Sequence, residues 1–214
     1  MTETPRGRLI ALEGIDGCGK STQASILANA LGAVLTHEPG ATELGRALRS
    51  LLLDPGQPAP RERTEALLMA ADRAEHVDQV VAPTLAEGRW VVTDRYSGST
   101  LAYQGWGRGL DIEGLRRIID FATGGVEADL SVLVDVGLDV ARRRLGATSR
   151  DRMEGLDAGF FEHVRQGFHA QAESDPKHWA VVDGSRDVTV VAADVARAVR
   201  DRLGWPDPEP GPRQ

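Results

Sequence analysis

Cysteine is almost missing from this sequence. Cys18 is the one thiol in 214 residues, so no disulfide can form within the chain. Long hydrophobic runs are missing as well: none approaches the roughly 20 apolar residues that a membrane-spanning helix needs. Residues 1–8 (MTETPRGR) contain no apolar segment of the kind that begins a secretory signal. The expectation is a soluble cytoplasmic protein with no membrane partner. Aromatics make up 5% of the residues and hydrophobics 41%, so the core falls to Leu, Val, Ile and Ala. The formal net charge is −7, which gives no overall field to gather polyanions. Nucleic acid is therefore not an expected partner, and any phosphate site has to be a local positive patch. Lysine is scarce too. Of 25 Lys and Arg, only Lys20 and Lys177 are lysine. A general arginine bias explains most of that, yet one of the two lysines stands in a glycine-rich turn.

That turn is EGIDGCGKST, Glu13 to Thr22. The spacing G-x-x-x-x-G-K-S runs from Gly14 to Ser21 and is the pattern of a phosphate-binding P-loop. An apolar strand pattern precedes it and a helical pattern follows, which sets it apart from an ordinary glycine-rich turn. Gly14, Ile15, Asp16, Gly17, Cys18 and Gly19 would cradle the phosphates of a triphosphate with backbone N–H groups, just ahead of Lys20, Ser21 and Thr22. Lys20 would reach the β- and γ-phosphates, and the Ser21 hydroxyl would ligate Mg²⁺. The loop itself offers no cation between Gly14 and Gly19. Cys18 reads as a small filler residue there, although a thiol at a helix N-terminus can become reactive.

Along the chain, apolar runs alternate with helical periodicity. Strands are expected at 8–13, 33–36, 90–93, 130–134 and 179–182. Helices are expected at 20–31, 42–53, from about 61, 115–121, 140–145, 161–172 and 190–203, with Pro83 bending or interrupting the third. The alternation indicates an α/β protein with a parallel sheet of about five strands, helices on both faces, and ligands at the carboxyl ends of the strands. Residues 1–7 are expected to be a flexible N-terminus, 8–204 one domain with a lid at about 146–156, and 205–214 a disordered tail.

Asp94-Arg95-Tyr96 falls at such a strand end. The Asp suits a place in the Mg²⁺ shell or beside an acceptor hydroxyl, and the Arg suits a bidentate phosphate grip. A strand-end Asp capping a turn, with an Arg on the surface, is the plainer alternative. The segment Ala141–Gly155 gathers Arg142, Arg143, Arg144, Arg150 and Arg152. Arg142 and Arg143 read as a solvated helix face, whereas Arg150 and Arg152 lie in a glycine-containing loop suited to a closing lid. Met69 and Arg73, four apart, share one helix face, where Met69 could cover a base or simply pack.

Taken together, EGIDGCGKST, THEPGATELGRALRSLLLD, EALLMAADRAEH, DRYSGSTLAYQGWGRG and RDRME resemble the thymidylate kinases, from about Arg8 to Leu203. The resemblance implies a P-loop nucleoside monophosphate kinase fold and phosphorylation of dTMP to dTDP by ATP with Mg²⁺, usually in a homodimer. It implies that Lys20, Arg95, Asp16 and the lid residues Arg150 and Arg152 are catalytic. Asp16, Arg49, Met69, Arg73, Arg95, Ser99, Thr100, Tyr103 and Gln104 would bind dTMP, and Ser21 and Asp94 would hold the metal. Within that set, Arg73 would read the thymine edge and Tyr103 would pack on the deoxyribose. The neutral Gly17-Cys18 resembles the class in which the lid supplies the arginines. In two places the sequence departs from the family. Met69 replaces the usual aromatic, and His37 replaces the usual arginine before Glu-Pro-Gly and is given no role. Two other readings share these motifs: a kinase of another nucleotide or deoxynucleoside, and a nucleotide-binding module without catalysis.

Overall fold

The structure is a computed structural model that describes residues 6–146, 152 and 157–204. Residues 1–5, the tail 205–214 and most of the expected lid, Arg150 included, lie outside the described residues.

Five parallel strands form the sheet: β1 (Leu9–Glu13), β2 (Val34–His37), β3 (Val91–Asp94), β4 (Leu130–Asp135) and β5 (Trp179–Asp183), in the order β2-β3-β1-β4-β5. β1 lies at the centre, and all five of its residues are buried. Its side chains alternate between faces, as the pleat requires. Ile10 and Leu12 join the larger core with Leu27, Val132, Val134, Phe168 and Val195. Leu9 and Ala11 join a second core with Val77, Val81, Leu85, Val91 and Tyr96. Burial on both faces explains why the inner strands β1, β3 and β4 read as nearly continuous apolar runs.

Helices α1 (Lys20–Leu31), α2 (Glu43–Leu53), α3 (Glu62–His76), α4 (Ala82–Ala86), α5 (Ser97–Thr100), α6 (Ile112–Thr123), α7 (Leu138–Leu145), α8 (Ala158–Ser174) and α9 (Val188–Leu203) connect the strands. Thr42 caps α2, its hydroxyl accepting from the Gly45 N–H at 2.9 Å. The interruption expected at Pro83 is a π-helical stretch, Val77–Val81, in which the Ala82 N–H reaches back to the Val77 carbonyl. Pro83 follows as the second residue of α4, directly after that wide turn. A second π-helical stretch, Leu101–Gly107, continues α5. Sequence periodicity gave no sign of it, because a wide turn shifts side chains off the 3.6-residue stripe. It carries Tyr103 and Gln104, both buried, into the site.

Candidate active site

The P-loop joins the C-terminal end of β1 to the N-terminus of α1. Gly17 has φ 82°, and a Cβ there would fall 2.4 Å from the Ala141 carbonyl oxygen, so the turn requires glycine. Gly19, at φ 100°, takes the left-handed conformation just before α1. Lys20 Nζ donates to Asp16 Oδ1 at 3.1 Å. Cys18 is buried, and burial pushes its thiol up, so the helix terminus does not activate it.

Asp16 is the hub of the site. Arg95 Nη2 donates to its Oδ1 at 2.5 Å and the Tyr103 hydroxyl to its Oδ2 at 3.0 Å. Burial alone would raise the Asp16 carboxyl. The charges of Arg95 and Lys20 outweigh it and hold the group well below the usual carboxylate range. Burial keeps the Tyr103 phenol protonated, and Arg95, its guanidinium 4.9 Å from the ring centroid, covers that ring. Burial opposes the charge on Arg95, and Asp16 more than restores it.

Arg95 is also where the backbone is unusual, with φ 75° at a residue other than glycine. That conformation costs about 1–2 kcal/mol. Several bonds hold it. The Arg95 N–H donates to the Leu12 carbonyl at 2.9 Å, and Thr93 Oγ1 donates to the Arg95 carbonyl at 2.9 Å. Glu13, fully buried, accepts from the Tyr96 N–H at 3.0 Å, the Ser99 N–H at 3.2 Å and the Ser99 hydroxyl at 2.6 Å. Glu13 thus fastens the segment after Arg95 to the strand that leads into the P-loop. Sequence reasoning passed over it, although it opens the EGIDGCGKST motif.

Burial raises Glu13 from 4.5 to about 7. A carboxyl raised in the folded state contributes stability below pH 4.5 and loses it as pH rises to about 7. At about 1.4 kcal/mol per unit, the Glu13 part of the loss between pH 5 and pH 8 is about 2–3 kcal/mol. Urea unfolding at the two pH values should show Glu13→Gln losing less stability than the parent chain by that amount. Equal losses in the two proteins would mean that Glu13 is not raised. Asp72, raised by burial and by Glu38 to about 6, adds a drop of the same sign that the substitution leaves in place.

The metal expectation fits the geometry. The Ser21 hydroxyl donates to Asp94 Oδ2, and the buried Oδ1 of Asp94 has no hydrogen-bond partner. A hydroxyl and one carboxylate with an oxygen to spare are the hard donors Mg²⁺ takes alongside nucleotide phosphates and water. Among the described residues no group of three or more His, Cys, Asp or Glu could hold a metal, so an all-protein cage is not on offer.

One cavity is lined by Asp16, Arg49, Met69, Arg73, Arg95, Ser99, Thr100, Tyr103 and Gln104, the full set expected to bind dTMP, and by Glu38, Pro39 and Leu53. Arg49 Nη1 donates to the Pro39 carbonyl at 2.8 Å, after the cis Glu38–Pro39 bond. Arg73, 2% exposed, donates to Glu38 Oε2, Thr100 Oγ1 and the Tyr96 carbonyl at 2.9, 2.9 and 3.0 Å. Gln104 Nε2 donates to Glu65 Oε1 at 2.9 Å, and Arg108 Nη2 to Glu65 Oε2 at 2.9 Å.

The arginines of the basic segment have diverged. The Arg152 guanidinium donates to the carbonyls of Leu51, Leu52, Asp54 and Gln57 at 2.6–3.2 Å, and its N–H donates to the Leu53 carbonyl at 3.0 Å. It therefore caps the C-terminal end of α2, where carbonyls lack helical partners, and it does not line the acceptor cavity. Arg150 lies outside the described residues. Arg144, which the sequence reading left without a role, donates from Nη1 to the Cys18 carbonyl of the P-loop at 3.1 Å. Ala141, one turn earlier on α7, already touches the loop at Gly17, so the i, i+3 spacing carries Arg144 to the same face. His37 is exposed at the end of β2; burial of part of the ring, with Arg49 nearby, lowers its pKa.

The chain matches the family model described as Thymidylate kinase over residues 12–195. It is 44% identical over 209 residues to a thymidylate kinase from Synechococcus sp. (strain RCC307), covering 92% of this chain and 98% of the relative. It is 43% identical to one from Desulforudis audaxviator (strain MP104C), covering 92% of each. Among solved structures, that of thymidylate kinase from Ehrlichia chaffeensis is similar, with a TM-score of 0.75 and 31% identity over 91% of this chain and 99% of that one.

Proposed function

The chain belongs to the thymidylate kinase family and phosphorylates dTMP to dTDP with ATP as donor, and from that premise we propose that it does so by direct in-line transfer, with the roles below. The observation that carries this reading is that a single cavity gathers the nine acceptor-site side chains and includes Asp16, itself a P-loop residue bonded to Lys20.

The P-loop amides and Lys20 hold the β- and γ-phosphates of ATP. Arg49 and Arg95 hold the phosphate of dTMP. The acceptor is already an anion, so little base catalysis is needed, and positioning and charge neutralisation supply most of the rate. Asp16 keeps Lys20 and Arg95 at one point, between donor and acceptor. Arg73 reads the thymine edge with Thr100 beside it, Met69 covers the base, and Tyr103 lies against the sugar. Ser21 and Asp94 would hold Mg²⁺, which when bound neutralises charge on the phosphates. Arg144 adds a positive charge beside the P-loop, which has none of its own before Lys20. Arg150 and Arg152 remain the proposed lid arginines, and Arg152 reaches such a role by leaving the α2 carbonyls.

We propose a homodimer as well. What supports it is a layer of neighbouring helices, α2, α3 and α6, that exposes Leu44, Leu51, Leu67 and Phe121, the last 91% exposed. A cytoplasmic location suits the substrates, charged nucleotides that do not cross a bilayer unaided.

A coupled assay of ADP release with dTMP, dUMP, dCMP and thymidine tests the acceptor assignment. We expect dTMP to give the highest kcat/KM and thymidine, which offers no phosphate to Arg49 and Arg95, to give the lowest. Thymidine outrunning dTMP would remove both arginines from the acceptor-phosphate role.

A further inference from the structure

Behind the acceptor cavity, the strand residue Thr36, Glu38 just after that strand, and two helix residues form one buried chain of hydrogen bonds. Thr36 and Glu38 are two apart at the end of β2, so the pleat turns both toward the same side. Arg73 and His76 are three apart on α3 and share a face. His76 Nε2 is 2.7 Å from Thr36 Oγ1, and His76 Nδ1 is 2.8 Å from Glu38 Oε1. The other oxygen of Glu38 accepts from Arg73 Nε at 2.9 Å. His76 is 0% exposed, Arg73 2%, Glu38 6% and Thr36 7%. The direction of the bonds to Glu38 follows from chemistry. Burial would raise Glu38, but Arg73 and His76 hold it ionised, so both its oxygens only accept. Nδ1 of His76 therefore carries a proton toward Glu38, and Nε2 is paired with the Thr36 hydroxyl.

We propose that His76 is a positioning residue for base recognition. Held by Thr36, it fixes the Glu38 carboxylate, and Glu38 fixes the plane in which Arg73 presents its guanidinium to the base. The chemistry gives this arrangement a purpose. A guanidinium only donates, so it matches the O4 acceptor of thymine and conflicts with the N4 amino group of cytosine. Glu38 Oε2 lies 2.9 Å from both Nε and Nη2 of Arg73, so Glu38 sets one whole edge of the guanidinium and turns Nη1, which also serves Thr100, toward the base. A carboxylate free to turn would let the fork rotate and blur the distinction. Nothing else in the mechanism uses His76.

The proposal rests on Arg73 being the base reader, and its test separates the two. The parent chain, His76→Ala, His76→Asn, Arg73→Lys and the double variant His76→Ala/Arg73→Lys are compared by kcat and KM for dTMP, KM for ATP, and the dTMP/dCMP ratio of kcat/KM. Rates are normalised to folded protein. Losing a hydrogen bond to a buried charge is worth about 10- to 100-fold. His76→Ala should raise KM for dTMP and lower the dTMP/dCMP ratio by that factor, with KM for ATP unmoved. Asn offers an amide donor near the place of Nδ1, so His76→Asn should recover most of the ratio. Because both act through the same guanidinium, the double variant should lose no more of the ratio than Arg73→Lys alone. If His76→Ala proves too unstable to assay, Thr36→Val serves, with the same direction and a smaller change. A ratio unchanged in His76→Ala or Thr36→Val but lowered in Arg73→Lys overturns the role of His76. A ratio unchanged in Arg73→Lys overturns the reading of Arg73 itself.

Discussion

Arg95→Ala is expected to lower kcat by about 10³-fold, because one side chain joins the three parts of the transfer site. Its guanidinium bonds Asp16 in the P-loop, and Ser99 and Tyr103, which line the same cavity. It is 15% exposed, so its charge acts in a medium far less polar than water. Alanine removes the proposed phosphate grip and leaves Asp16 to Lys20 and Tyr103. Arg95→Lys keeps a charge but cannot bond in a plane to several partners at once, and should recover only a small part of the rate. Single-turnover measurements at saturating ATP and dTMP read the chemical step directly. A kcat within tenfold of the parent chain for Arg95→Ala would exclude Arg95 from the transferring centre.

Arg73→Ala should be the most damaging change on the base side, and it should act on stability as well as on kinetics. Removing one partner of a buried ion pair leaves the other charge without compensation, at a cost of about 3–5 kcal/mol. Here the stranded group is Glu38, 6% exposed, with His76 as its remaining partner. Arg73→Lys separates the two effects. Its ammonium still faces Glu38, so the stability cost should be smaller. It cannot serve Thr100, the Tyr96 carbonyl and the base together, so kcat/KM for dTMP should fall by about 10²-fold or more. Denaturant unfolding and steady-state kinetics on both variants check this. If Arg73→Lys keeps the parent kcat/KM for dTMP, the fork geometry of Arg73 does not select the substrate.

Both predictions depend on pairs that the sequence does not display as pairs. Asp16 and Arg95 are 79 residues apart, and Glu38 and Arg73 are 35 apart. Each could be named from its own motif. That Asp16, Lys20, Arg95 and Tyr103 form one cluster follows from the sheet, in which β1 and β3 are neighbours with Leu12 beside Asp94. The register sets the end of one strand against the end of the other, and the loops that follow them meet. Glu13 and His76 escaped notice for a related reason. A buried Glu at a strand end and a buried His on a helix look like ordinary residues until their partners are known. Arg152 shows the opposite case, since its motif suggested a phosphate contact and the fold offered it the open carbonyls of α2.

The sequence by itself determined what is local. G-x-x-x-x-G-K-S dictates a turn whose amides face an anion, since its glycines reach dihedrals other residues avoid and the helix that follows aligns its N–H groups. Apolar runs of strand length between amphipathic helices dictate a covered parallel sheet, since no other packing buries both faces. Such signals lie within a few residues of one another and need only backbone geometry and burial to be read. Tertiary structure alone decided which groups meet: Arg95 with Asp16, Glu38 with Arg73 and His76, Arg144 with the P-loop. Those contacts depend on strand order, on which helix face turns inward, and on a π-helical stretch at Leu101–Gly107 that breaks the regular period. The energy of a buried charge depends almost wholly on its neighbours, and the chain supplies those neighbours only after it has folded.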